Sequence, residues 1–261
     1  MAGSGGEGRW TGGCREAGWW RVLPGMVFCC LLAWLILAVP ADAPGADSPS
    51  SAVTLRVEND AIKSTDANYT SGLSLSYTRN DSGVWGGVWR LVGLDRGRLY
   101  SSYELAQLIF TPSALGLVVP DPLDRPYAGI LYLGMTTGLQ TETSLHALKL
   151  LLGVVGPSSL GEGGQKLAHH ITGNSLPQGW AYQLKDEPIL NLLYEYRHRY
   201  RLSGSDDGFG VEFIPVATAM AGNYLVKARA EGVLRFGFRL PDDFGYTSIR
   251  GLGTPPLPRS R

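Results

Sequence analysis

The residues able to do chemistry fall into a few short clusters. Glu58-Asn59-Asp60 sets three oxygen-bearing side chains in a row at the end of an alternating segment. Carboxylate and amide oxygens suit a hard cation such as calcium, and the same residues equally serve as an Asx turn that closes a strand. Asn68-Tyr69-Thr70 follows, where Thr70 opens the next alternating segment with its hydroxyl available. Ala168-His169-His170 supplies imidazole, the usual general base near neutral pH, although a loop histidine is often only a surface residue. Asp124-Arg125-Pro126-Tyr127 is a charged turn leading into a Gly-rich segment, and its composition suits bracing better than catalysis. The sequence carries no G-x-S-x-G elbow, H-E-x-x-H zinc motif, P-loop or dinucleotide fingerprint. Residue chemistry alone leaves the site open among these clusters.

The elements that must position them alternate with period two. In residues 70–79, Leu73, Leu75 and Tyr77 face one way while Ser74, Ser76 and Thr78 face the other. Residues 190–201 set Leu192, Tyr194, Tyr196, His198 and Tyr200 against Glu195, Arg197, Arg199 and Arg201. Residues 227–240 set Ala228, Ala230, Leu234, Phe236 and Phe238 against Lys227, Arg229, Glu231, Arg235 and Arg239. Weaker strand signals occupy 53–58, 103–110, 127–139, 145–155 and 211–220, which makes about eight strands of about ten residues. A soluble sandwich turns its polar face to water, whereas an outer-membrane barrel turns its apolar face to lipid and its charges to the lumen. Alternation is blind to that choice. Strand length and the number of charges on one face favour the membrane version.

Residues 156–188 break this rhythm and are too long for a hairpin turn. Ser159-Leu160-Gly161-Glu162 fits a capping box and Gly173 a C-terminal stop, so a short helix is expected over 164–172. It would place Gln165 and His169 at i and i+4, on one face.

The apolar run 26–39 (MVFCCLLAWLILAV) is shorter than the roughly twenty residues of a membrane-spanning helix. Arg15 and Arg21 precede it, and small-residue sites follow at Ala41-Asp42-Ala43 and Pro44-Gly45-Ala46. That order reads as a signal peptide over 1–46, with Met26 an alternative start and a membrane anchor the competing reading. Cleavage near Ala46 removes Cys14, Cys29 and Cys30, all the cysteines of the chain, and with them a disulfide scaffold, a zinc-thiolate site and a Cys nucleophile. Lys+Arg and Asp+Glu number 23 each, so no net positive field favours nucleic acid. With 18% charged and 44% hydrophobic residues the chain is too apolar to be disordered, and its 35 glycines follow no G-X-Y period.

Taken in order, these segments resemble a known family. Val57-Glu58-Asn59-Asp60, Asn68-Tyr69-Thr70-Ser71-Gly72-Leu73 and Asp124-Arg125-Pro126-Tyr127-Ala128-Gly129 are similar to successive motifs of the outer-membrane lipid A 3'-O-deacylases. The similarity continues through Gly156-Pro157, Gln165, Ala168-His169, Gly173, Gly179-Trp180, Gln183-Leu184 and Glu187-Pro188. It ends at Arg235-Phe236-Gly237 and Leu240-Pro241-Asp242-Asp243-Phe244-Gly245. It covers about residues 53–245.

The resemblance implies an all-β, antiparallel transmembrane barrel in the outer membrane, of about twelve strands in the family, with a short helix in a long extracellular loop. The site lies between the barrel wall and that helix. The implied activity is calcium-dependent hydrolysis of the 3'-position acyl ester of lipid A, with lipopolysaccharide and outer-membrane lipids as partners and the chain acting as a monomer. Residue by residue, His169 matches the base that activates water, and Asn59, Asp60 and Thr70 match the polar cluster around the cation and the reacting carbonyl. The chain departs from the pattern at Ala61, where some members carry a second Asp, and at Ser175, where some carry an acid behind the histidine; Glu187 is the substitute the sequence offers. Residues 47–245 then read as the barrel. Residues 246–261 read as a Pro-rich tail that a frameshift, a premature stop or a fragment would each produce. The competing expectations are an inactive or truncated barrel with a structural or pore role, and a soluble periplasmic lipid-binding barrel.

Overall fold

The computed structural model describes residues 51–59, 71–81, 83, 85–94, 96–204, 207–245 and 252–254. The signal segment, Asp60, Thr70 and most of the Pro-rich tail lie outside the described residues.

Among the described residues nine strands run in an up-and-down order: β1 (Ser51–Asn59), β2 (Ser71–Arg79), β3 (Arg98–Phe110), β4 (Ala128–Gln140), β5 (Ser144–Val155), β6 (Glu187–His198), β7 (Tyr200–Gly204), β8 (Phe209–Gly222) and β9 (Lys227–Phe238). All pairings are antiparallel, and among the described residues β1 pairs only with β2 and β9 only with β8. A 13-residue strand such as β3 is about 43 Å long at about 3.3 Å per residue, enough to cross a bilayer at a tilt.

The sequence treats 190–201 as one strand, and the register agrees. Arg197 faces Val216 and Tyr200 faces Phe213 in the same frame, so β6 and β7 are collinear. Pro215 sits opposite the gap, and its missing N–H interrupts the ladder there. Strand β3 begins at Arg98, earlier than the 103 expected, because Tyr100 and Ser102 face inward and hide the apolar half of the alternation.

One face of the wall is buried and charged. Glu104 and Lys149 are both 0% exposed, as is Glu195, and Arg56, Arg197 and Glu212 are nearly so. Glu104 accepts from Arg56, from Lys149 Nζ at 2.5 Å and from Tyr132 at 3.3 Å. The other face exposes Leu55, Val57, Leu190, Leu192, Leu234, Phe236 and Phe238. That inversion, with charge inside and hydrocarbon outside, is the membrane-barrel pattern.

The short turn 141–143, the β7–β8 connection and the longer β2–β3 connection lie at one end of the wall; the long connections 111–127 and 156–186 and the turn 223–226 lie at the other. The short-turn end is periplasmic by the rule for such barrels. At that end Phe244 folds into the lumen against Tyr100, Leu145, Ala147, Ile214 and Val216. Arg197 Nη1 donates to the Phe244 carbonyl at 2.7 Å, and Arg235 pairs with Asp243. Higher in the lumen Lys149 donates to the carbonyls of Leu252 (3.3 Å) and Gly253 (3.0 Å), and Thr254 donates to Glu195 (2.8 Å).

Candidate active site on the outer wall

At the long-loop end the chain leaves β5 through Gly156 (φ 105°) and a 3₁₀ turn, Pro157–Ser159, and then enters helix α2 (Gly161–Thr172). An earlier single-turn helix, α1 (Val88–Leu91), lies at the other end. Helix α2 starts three residues before the expected 164, and the capping box does not form. Leu160 takes a left-handed conformation (φ 60°) at the N-cap, and no side chain caps the helix. The Ser159 hydroxyl is instead committed to the Gly156 carbonyl at 2.6 Å. The C-terminal stop at Gly173 is as expected (φ 72°), with Asn174 N–H donating to the His169 carbonyl at 2.9 Å.

The helix seats on the outer face of β3 and β4 by backbone contact. A Cβ at Gly129 would lie 2.1 Å from Ser159 Oγ and 2.8 Å from Gly161 Cα, so helix and strand touch where neither has a side chain. Gln107, an outward residue of β3, donates Nε2 to the Ser159 carbonyl at 2.7 Å, and Gly164 leaves room for its amide. Trp180 Nε1 donates to Gln165 Oε1 at 2.7 Å, and its ring lies 5.0 Å from that of Tyr127. Ile109, Tyr127 and Trp180 form a buried cluster under the loop. Gln107 is not among the sequence candidates; its signal is a polar residue on the lipid-facing alternation of Tyr103, Leu105 and Ile109.

One helical turn beyond the buried Gln165, His169 is half-buried, and its Nδ1 lies 2.6 Å from the carbonyl oxygen of Ser175. A carbonyl only accepts, so Nδ1 carries the proton and Nε2 of the neutral ring presents its lone pair. This corrects the expectation that Glu187 substitutes for the acid missing behind His169. The backbone of Ser175 does that work, and Glu187 is an exposed residue opening β6 opposite Val155.

The loop around the site is tied by carboxylates. Asp186 accepts from Ser158 N–H (2.8 Å) and Ser158 Oγ (2.7 Å). Asp124 accepts from the backbone N–H groups of Ser113 and Arg125, each at 2.7 Å, and these bonds hold its carboxyl below the usual range. The Asp124-Arg125 cluster is the brace its composition suggests.

Asn59 closes β1 opposite Ser71. Ser71 pairs with Ile109 and Ile109 with Gly129, so Asn59 lies on the row of the wall where α2 is seated. The structure therefore brings the end of β1 and the histidine helix to one end of the wall; Asp60 and Thr70 fall in the connection beyond Asn59, outside the described residues, as does the Asn59 side chain.

A curved antiparallel wall, charged within and apolar without, carrying a loop helix on its outer surface, defines an outer-membrane β-barrel. The family model described as "Outer membrane protein LpxR" matches residues 26–259, and the chain belongs to that family and to the outer membrane. The solved structure of LpxR from Salmonella typhimurium is similar in fold, with a TM-score of 0.54 and 23% sequence identity over 67% of this chain and 59% of that one. The chain thus spans about three-fifths of the length of that structure. No curated protein matches the chain.

Proposed function

We propose that the chain hydrolyses the ester holding the 3'-position acyl chain of lipid A, with His169 as the base and a calcium ion held by Asn59, Asp60 and Thr70. The observation that carries this reading is the Nδ1 contact of His169 with the Ser175 carbonyl at 2.6 Å. An imidazole fixed in that tautomer takes a proton on Nε2 from water as the water oxygen bonds to the ester carbon. The same nitrogen returns the proton to the sugar oxygen as the ester C–O bond breaks, which gives a free fatty acid and a sugar hydroxyl. Water as nucleophile accounts for the lack of a serine elbow or catalytic cysteine.

The position of the helix on the outer wall supports a substrate that lies in the membrane rather than in the lumen. The proposed cation ligands offer amide, carboxylate and hydroxyl oxygen, a donor set that fits a hard divalent ion. When bound, such an ion supplies positive charge for the oxyanion. Family membership supports a deacylase of this type, and the motif series around Asn59, Thr70 and His169 supports the assignment of roles.

The alternative is a barrel with a structural or pore role; against the pore form, Glu104, Lys149 and Glu195 are fully buried around the 252–254 segment. Mass spectrometry of lipid A from cells expressing the chain distinguishes the readings. Loss of one acyl chain, abolished by His169→Ala and by chelation of calcium, is the expected result. Intact lipid A, or loss that persists in His169→Ala, sinks the proposal.

A further inference from the structure

The connection between β2 and β3 is out of place at the short-turn end. It carries helix α1 and the sequence Trp85-Gly86-Gly87-Val88-Trp89-Arg90-Leu91-Val92. It does not hang below the barrel mouth. Trp89 is 4% exposed, its Nε1 donates to Thr137 Oγ1 at 3.1 Å, and its ring meets that of His146 edge-on at 6.1 Å. Thr137 shares the outward alternation of Leu133 and Met135 on β4, and His146 that of Leu148 and Leu150 on β5. The connection is therefore folded up against the outside of the wall.

With Trp89 pinned, its neighbours point away from protein. Leu91 is 86% exposed, Val92 62% and Trp85 40%. Arg90 and Arg96 are exposed beside them, and among the described residues neither has an ion pair. Among the described residues Asp81 pairs with Arg79 at 3.2 Å and Asp242 with Arg199 at 2.7 Å; Glu142 lines the same surface pocket as Arg96, and the sequence sets Asp95 beside it. The same level of the wall carries a belt of rings: His146 bonds the Tyr194 hydroxyl at 2.8 Å, and His198 lies 4.4 Å from Tyr200. Such a belt marks the depth of a membrane–water interface.

We propose that residues 85–94, together with Arg96, form an interfacial anchor that inserts Trp85, Leu91 and Val92 among the acyl chains of the periplasmic leaflet and sets Arg90 and Arg96 against its anionic phospholipid headgroups. The continuity with the lipid-facing wall, and the excess of Arg90 and Arg96 over Asp95 in the segment, select phospholipid over a protein partner or a second copy. Apolar side chains beside cationic ones are what a surface-lying segment needs to bind such a leaflet.

The test uses the protein folded into vesicles of phosphatidylethanolamine with phosphatidylglycerol. The difference in emission between the chain and its Trp85→Phe variant reports Trp85 alone, and heat-modifiable migration on gels confirms that both are folded. Phospholipid brominated near the carboxyl end of its acyl chains should quench that difference about twofold, more than lipid brominated near the methyl end, and aqueous iodide should leave it unchanged. Arg90→Glu with Arg96→Glu should lower the quenching in vesicles containing phosphatidylglycerol. Quenching by iodide but not by bromolipid overturns the anchor. So does shielding that develops only as the protein-to-lipid ratio rises, which would mark a second copy as the occupant. Quenching unchanged in the double arginine variant overturns the headgroup contact.

Discussion

Glu104 and Gln107 lie three residues apart on the same strand, on opposite faces, and belong to two different kinds of structure. Glu104 faces the lumen, fully buried, and holds Arg56 and Lys149 in one network with Tyr132. Gln107 faces outward and makes one hydrogen bond, to the Ser159 carbonyl, beside the glycine seat of α2. Inside, buried charges are mutually compensating, so each is indispensable to the others. Outside, the candidate site rests on close backbone approach and single hydrogen bonds, which set position with little effect on the barrel. The wall carries stability on one face and the proposed chemistry on the other.

The largest effect should come from breaking the inner face. Glu104→Ala removes the carboxylate that Arg56 and Lys149 share in the buried lumen, a change that costs about 3–5 kcal/mol. The expected outcome is a large fall in the urea midpoint of the folded barrel, with every activity lost alongside it. A midpoint close to that of the parent chain would mean that water reaches these cations, and the contrast between the two faces would fail.

Gly129→Val strikes the outer face at its tightest point. A side chain there collides with Ser159 and Gly161, so α2 has to lift from the wall while the ladder between β3 and β4 stays paired. Ester hydrolysis should fall about a hundredfold, since a displacement near 1 Å is enough to spoil a catalytic geometry. The urea midpoint should fall by less than in Glu104→Ala, by about 1–3 kcal/mol in equivalent stability, the ordinary cost of overpacking. If stability falls as far as in Glu104→Ala, the seat of α2 belongs to the folding core and the two faces are not separable.

Much of this division was legible in the sequence. The alternation of Phe236 and Phe238 against Arg235, and of Tyr194 against Glu195, gave both the strands and their two faces, because the pleat has a strict period of two. Strand β3 was legible only in part, since Tyr100, Ser102 and Glu104 put polar groups where an apolar stripe was sought. The helix N-terminus was misread because Leu160 adopts a left-handed conformation, which a leucine seldom does and no spacing rule anticipates. The histidine was found by motif. Its orienting partner was invisible, because every residue has a carbonyl and only the fold of residues 173–175 aims that of Ser175 at Nδ1.

That last point yields the smallest expected effect and the finest discrimination. Were the side chain at position 175 part of the site, its replacement would free the imidazole and slow the reaction. The contact seen is with the backbone oxygen, which Ser175→Ala retains. Hydrolysis by Ser175→Ala should therefore stay within about twofold of the parent chain, inside the scatter ordinarily seen for surface substitutions. A change at position 174 or 175 that redirects the carbonyl, such as Ser175→Pro, should slow hydrolysis toward the level of His169→Ala, because the tautomer is then no longer fixed. If Ser175→Ala alone abolishes activity, the hydroxyl rather than the carbonyl positions His169, and the outer site depends on side-chain chemistry in the same way as the lumen.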